Sequence, residues 1–160
     1  MRFMKSKSKY KRKILDTCVI LNHITQGNLE QFITNLSKKY NVMLTIHVRN
    51  EIKRRLINQQ PDRIKYFEQT LKKLCEAKII LMNRRENRLK KSFKELKVYL
   101  KNVGVRLSRV DKHIIALACQ LGAEICSTDG GIAKAIEKIK KAKTFKKWRV
   151  YAEKVIIQQH

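Results

Sequence analysis

The sequence predicts an α/β domain: a three-layer α/β/α sandwich around a mostly parallel sheet of four to five strands. Three observations lead there. Short apolar runs alternate with longer stretches whose apolar residues recur at helical spacing. Apolar residues make up 43% of a 160-residue chain, enough for the core of one domain. One Pro and five Gly exclude a loop-rich or all-β chain.

The elements follow in order. Met1 to Lys13 carries seven basic residues and no acid, which predicts a flexible basic arm over residues 1–12 and a single domain over 13–160. Lys13 to Thr17 is a first strand, and Cys18 to Thr25 begins a helix or turn that Gln26-Gly27-Asn28 breaks. Leu29, Phe32, Ile33 and Leu36 mark a helix reaching about Tyr40, and Val42 to Ile46 a second strand. His47 to Gln59 is helical, with Val48, Ile52 and Leu56 on one face. Pro61 stops it, and Asp62 caps a helix from Arg63 to Ala77. Lys78 to Met82 is a third strand. Arg84 to Asn102 is a very basic helix with the apolar stripe Leu89, Phe93, Leu96 and Leu100, ended by Gly104. Ser108 to Leu121 is apolar almost all round, hence buried, and Gly122 ends it. Glu124 to Thr128 is a fourth strand, Gly130 to Lys140 a basic helix, and Trp148 to Ala152 or Lys154 to Ile157 a last strand.

The formal net charge is +25, from 38 Lys+Arg against 13 Asp+Glu. That points first to a nucleic-acid partner and second to an anionic membrane surface. No apolar stretch approaches the length of a membrane span, and no signal-like apolar region follows the basic N-terminus, so the expected location is cytoplasmic, with no membrane partner. Cys18, Cys75, Cys119 and Cys126 lie far apart without a CxxC, which predicts reduced, buried thiols. The four histidines show no ligand spacing with them.

Against this basic background, Asp16, Glu51, Asp111 and Asp129 stand where strands end or helices begin. A parallel sheet binds ligands outside the carboxyl ends of its strands, at the switch point of strand order. All four acids can converge there. Clustered carboxylates repel one another unless a divalent cation neutralises them. Each acid also has a local explanation. Asp16 can cap the next helix, Glu51 can pair with Arg54 or Arg55, Ser108-Arg-Val-Asp111 approaches a capping box, and Asp129-Gly130 is a turn pair.

The segments ILDTCVI (Ile14 to Ile20), VRNEI (Val48 to Ile52), VDKHIIALA (Val110 to Ala118) and STDGGIAKAI (Ser127 to Ile136) occur in this order. Together they resemble the PIN-domain nuclease family over roughly Lys13 to Ile156. The resemblance implies hydrolysis of RNA phosphodiesters with Mg²⁺ or Mn²⁺. It implies Asp16, Glu51, Asp111 and Asp129 as catalytic and metal-binding acids, with Ser127 and Thr17 in support. Three departures accompany it. Cys18 replaces a common Asn or Ser, which removes an expected hydrogen-bond partner of Asp16. Gly130, Gly131 and Ile132 follow Asp129 without a further acid. A basic helical insertion occupies about 62–102.

The charge assigns phosphate contacts to Lys5, Lys7, Lys9, Lys11 and Arg12 of the arm, to Lys90, Lys91, Lys94 and Lys97 of the basic helix, and to Lys146, Lys147 and Arg149 near the end. Phe145, Trp148 and Tyr151 either stack on unpaired bases or pack in the core. The expected partner is RNA, structured or ribosomal. An antitoxin or ribosome-related protein partner and a homodimer stay open, as do processing and toxin-type roles. The alternative function is a non-catalytic RNA- or DNA-binding or ribosome-associated protein with a degenerate site.

Overall fold

The computed structural model describes residues 11–83, 90–128, 130–141 and 157–158, the last pair and residues 83 and 90–92 by their backbone alone. The strands are β1 (Lys11–Leu15), β2 (Tyr40–Thr45), β3 (Ile80–Asn83), β4 (Glu124–Cys126) and β5 (Ile157–Gln158). They pair in parallel in the order β3-β2-β1-β4-β5. The helices are α1 (Thr17–Gln26), α2 (Leu29–Ser37), α3 (Ile46–Gln59), α4 (Ile64–Glu76), α5 (Lys90–Asn102), α6 (Arg109–Leu121) and α7 (Gly130–Lys141).

Chain order places the helices. The chain moves outward from β1 to β2 to β3, then jumps back past β1 to β4 and on to β5. Crossovers between parallel strands are right-handed, so the reversal sends α1 to α4 to one face and α5 to α7 to the other. Most helix contacts divide the same way: α1 meets α2 and α3, while α6 meets α5 and α7; α3 and α6 also touch. The three-layer sandwich expected from the sequence is therefore present.

Burial on both faces explains the continuous apolar strands. Ile14, Leu15, Val42, Leu44 and Ile125 are buried, as is every residue of α6 from His113 to Cys119. Residues 62–102 contribute the edge strand β3 and core residues Phe67, Leu71, Leu74, Leu96 and Leu100. The Tyr99 hydroxyl donates to the Lys138 carbonyl at 2.9 Å, and Lys138 Nζ donates to the Val103 carbonyl at 3.0 Å, which ties α5 to α7.

Several boundaries differ from the sequence-based expectation, each for a local reason. β1 starts at Lys11 rather than Lys13 and ends at Leu15, because Asp16 turns to cap α1. Asp62 does not cap the helix after Pro61. Pro61 to Arg63 forms a 3-10 turn, and α4 begins at Ile64 without a side-chain cap. β3 starts at Ile80 because Lys78 closes α4: Lys78 N–H donates to the Cys75 carbonyl at 3.0 Å and Ile79 N–H to the Leu74 carbonyl at 2.9 Å. β4 ends at Cys126, two residues before the expected Thr128. The sequence stretches 84–89 and Trp148 to Ala152 lie outside the described residues.

Lys78 has φ 57, the only positive value on a non-glycine residue among the described ones. It occupies the left-handed position after a helix that glycine takes at Gly27 and Gly122. Lys78→Gly is expected to stabilise the protein by about 1 kcal/mol, because the Cβ strain disappears. Urea unfolding measures it; a loss of stability would show that the lysine side chain holds the turn.

Candidate active site

In a parallel sheet every strand's carboxyl end lies on one edge. α1, α3 and α7 start directly beyond β1, β2 and β4, so their first turns share that edge. α6 joins them through an aromatic stack. The rings of His47, in the first turn of α3, and His113 lie 3.8 Å apart at 13°. Phe93 of α5 stacks on His113 at 4.1 Å and 7°. Asp16, Glu51 and Asp111 therefore sit on elements that meet at one edge. Asp129 lies outside the described residues.

Asp16 is the anchor. It follows β1 with its amide donating to the Cys126 carbonyl at 3.0 Å, which extends the ladder to β4. Its extended backbone, φ −86 and ψ 160, makes it the N-cap of α1. The side chain is buried, and three donors orient it. Thr17 N–H donates to Oδ1 at 2.7 Å, Ser127 Oγ to Oδ2 at 2.6 Å, and Cys18 Sγ to Oδ2 at 3.5 Å. Thr128 Oγ1 in turn donates to Cys18 Sγ at 3.0 Å. The expectation that Cys18 removes a hydrogen-bond partner of Asp16 is corrected: the thiol fills that role. β4 ends early because Ser127 and Thr128 leave the ladder to make these contacts. The capping and site explanations of Asp16 coexist, since Oδ1 caps and Oδ2 faces β4.

Asp16 and Ser127 lie at the ends of β1 and β4, the strands on either side of the switch in chain direction. This is the position, outside the carboxyl ends of the strands at a switch in strand order, where such sheets bind ligands. The N-termini of α1, α3, α6 and α7 add partial positive charge, which favours carboxylates.

Glu51 lies in the second turn of α3, capped by Thr45, whose Oγ1 accepts from Val48 N–H at 3.1 Å. Its side chain is 11% exposed and contacts Arg55 at 3.5 Å and Arg54 at 3.9 Å. Asp111 is the third residue of α6, and its amide donates to the Ser108 hydroxyl at 3.1 Å. Among the described residues no group of three His, Cys, Asp or Glu side chains could hold a metal ion. Thr17 Oγ1 is buried beside Asp16 without a hydrogen-bond partner.

Among the phosphate-contact residues expected from sequence, Lys11, Arg12, Lys94 and Lys97 are exposed. Lys90 and Lys91 open α5, whose first turn reaches the site edge through Phe93. Lys5, Lys7, Lys9, Phe145, Lys146, Lys147, Trp148, Arg149 and Tyr151 lie outside the described residues. The His47–His113–Phe93 stack was missed by sequence reasoning. Its only sequence signal is that His47 precedes Glu51 by one helical turn and His113 follows Asp111 by two residues.

The sequence model of a family described as PIN domain matches residues 13–154. The chain belongs to the PIN-domain family. It is thus a member of a nuclease family, as its four motifs imply. Two solved structures share the fold. VapBC2 from Rickettsia felis, bound to a DNA fragment from its promoter, aligns with TM-score 0.58 at 12% identity, over 92% of this chain and 97% of that one. FitAcB from Neisseria gonorrhoeae aligns with TM-score 0.54 at 18% identity, over 91% and 95%. No curated protein gives a significant match. No helix among the described residues is long and apolar enough to cross a membrane.

In this PIN domain the four cysteines are free thiols, two buried and two half-buried. Burial pushes Cys119 up to about 12. Burial also pushes Cys126 up to about 11; Lys13 opposes this, and Cys18 and Asp16 add to it. Both folded values exceed the ordinary 9.0 of an unperturbed thiol, so the neutral thiols' contribution to stability is complete below pH 9 and fades as pH rises through 11 to 12. Iodoacetamide at pH 8 is expected to label Cys119 and Cys126 only after unfolding in urea, read by mass spectrometry. Labelling of either in the native protein would contradict their burial.

Proposed function

We propose that this PIN domain is a divalent-metal-dependent ribonuclease whose centre is Asp16. The observation that supports it is the fixed Asp16 carboxylate at the switch point, held by Thr17 N–H, Ser127 Oγ and Cys18 Sγ. The donor chemistry fits Mg²⁺ or Mn²⁺, which take hard carboxylate oxygens. The orphaned Thr17 hydroxyl beside Asp16 is a further oxygen that an ion or its water would satisfy. Asp16, Glu51, Asp111 and Asp129 would hold the ion. When bound, a divalent cation activates water and neutralises charge on the scissile phosphate.

The chain's own residues do the rest. Ser127 and Cys18 fix the direction of Asp16 Oδ2. Arg54 and Arg55 restrain Glu51. The His47–His113 stack holds α3 and α6 together at their first turns, setting the relation of Glu51 to Asp111. Lys90, Lys91, Lys94 and Lys97 on α5 hold phosphates beside the crevice, and the basic residues at 1–12 and 146–149 extend this grip. The domain is one unit over 13–160, working in the cytoplasm on structured or ribosomal RNA. A partner of the antitoxin class or a ribosome-related protein, and a homodimer, complete the proposal.

The second reading is a nucleic-acid-binding protein with a degenerate site. It gains support from the lack of a three-residue metal group among the described residues. Incubating purified protein with a mixed RNA pool in Mn²⁺, Mg²⁺ or EDTA separates the two. Cleavage in Mn²⁺ or Mg²⁺ that EDTA stops supports the nuclease. Binding without cleavage under every condition supports the second reading.

A further inference from the structure

The edge opposite the acidic crevice is formed by the amino ends of the strands. β1 opens with Lys11 and Arg12, β2 follows Lys38 and Lys39, and β3 follows Lys78. All five side chains are exposed. Register aligns them. Lys11 pairs with Tyr40 and Val42 with Ile80, so Lys11, Tyr40 and the turn at Lys78, two residues before Ile80, lie at the same end of three neighbouring strands. Neighbouring strands are roughly 4.8 Å apart, so this alignment puts closely spaced cations on one rim.

Two acids lie near this rim. Glu124, at the start of β4, is nearly buried and faces Lys13 at 3.4 Å and Lys11 at 3.8 Å. Glu76, two residues before Lys78, is the exposed acid beside it. Lys78 adopts φ 57, where glycine would be unstrained, so the chain places a cation on this rim at a conformational cost. The Arg12 guanidinium donates to the Leu121 carbonyl at 3.5 Å, at the end of α6. In the sequence, β1 is preceded by Arg2, Lys5, Lys7 and Lys9 with no acid among residues 1–10.

We propose that this amino edge is a second nucleic-acid docking surface, built from Lys11, Arg12, Lys38, Lys39 and Lys78, that grips an RNA backbone away from the acidic crevice. It rests on the reading of RNA as the partner and deepens it. A protein interface needs an apolar centre, and lysine is depleted there. Among the described residues the large exposed apolar side chains are Ile57 and Val98 on helices and Leu81, the second residue of β3, a single apolar side chain rather than an apolar centre. Asp16 lies five residues along from Lys11, so the two surfaces are separated by about 16 Å of strand. One RNA strand that wraps the domain would reach both.

The test compares Lys39→Glu/Lys78→Glu with a control of equal charge change on exposed α4 positions, Lys65→Glu/Lys72→Glu. Both are made in Asp16→Asn protein to prevent cleavage. Binding of a 30-nucleotide single-stranded RNA is followed from low to high salt. The edge variant is expected to bind at least tenfold more weakly at physiological salt, with a log–log salt slope shallower by about 1.4, since each lost single-strand phosphate contact is worth about 0.7. The control should keep affinity and slope. Equal losses in both variants would reduce the effect to overall charge and overturn the proposal. Vesicles rich in phosphatidylserine form the second arm: loss of vesicle binding with RNA binding intact would assign the edge to a membrane surface and also overturn it. If unmutated protein cleaves no RNA but the edge variant alone loses RNA affinity, the nuclease reading fails and the docking surface stands.

Discussion

Asp16→Asn is expected to reduce metal-dependent RNA cleavage on the order of 10²–10³-fold, the scale seen when one group stabilising transition-state charge is removed. The substitution isolates charge from fold. Asn and Asp are equivalent as helix N-caps, so the bond from Thr17 N–H survives. Thermal stability without metal should hold or rise, because one member of an acidic group becomes neutral. Stabilisation by Mn²⁺ should shrink, since it scales with metal affinity for the native state. Ser127→Ala tests positioning beside this. It keeps the carboxylate but removes the 2.6 Å donor to Oδ2, and losses of about 10–100-fold are expected. Equal cleavage by Asp16→Asn and unmutated protein would place the chemistry elsewhere.

The largest expected effect on stability lies at the other end of β1. Lys13 and Glu124 are register partners on adjacent strands, with side chains 1% and 5% exposed. Their contact at 3.4 Å is an ion pair without hydrogen-bond geometry, since Glu124 Oε2 is buried and makes no hydrogen bond. Lys13 Nζ also lies 3.7 Å from the centre of the Tyr40 ring, which partly shelters the cation. Glu124→Gln takes the facing carboxylate from a buried ammonium and should cost about 3–5 kcal/mol. At this chain length that lowers the melting temperature by roughly 6–20 °C. Lys13→Met/Glu124→Leu removes both charges and their desolvation penalty and should be neutral or stabilising. Urea unfolding of the single and double variants decides it. A single variant costing under about 1 kcal/mol would mean that water reaches the pair.

Lys13 also shows where sequence reasoning stopped short. Apolar runs located the cores of β1 to β4, because parallel strands covered on both faces are apolar throughout. Gly27, Gly122 and Ser108 marked helix ends correctly through left-handed caps and a hydroxyl acceptor. A buried lysine has no such signature. The burial of Lys13 depends on a partner 111 residues away, Glu124, that no local pattern reveals. The delayed start of β3 was similarly hidden, since nothing local predicts a lysine at φ 57 after α4.

The candidate site was legible at the level of type and order. Acids at strand and helix termini nominate Asp16, Glu51 and Asp111 from sequence, and the parallel topology brings their elements to one edge without forming a three-residue metal group among the described residues. The supporting contacts were not legible. Thr128 donating to Cys18, and Cys18 to Asp16, joins loops more than 100 residues apart. The stack of His47 on His113 likewise needs the fold before it has meaning.

The central claim is that these acids hold one divalent cation at the switch point. Anomalous diffraction from a crystal of the full chain soaked in Mn²⁺ tests it most directly. The predicted result is a manganese peak in direct contact with Asp16 Oδ2 and with carboxylate oxygens among Glu51, Asp111 and Asp129, and no such peak in an Asp16→Asn crystal. Active, RNA-cleaving protein whose manganese sits away from Asp16 would contradict the account.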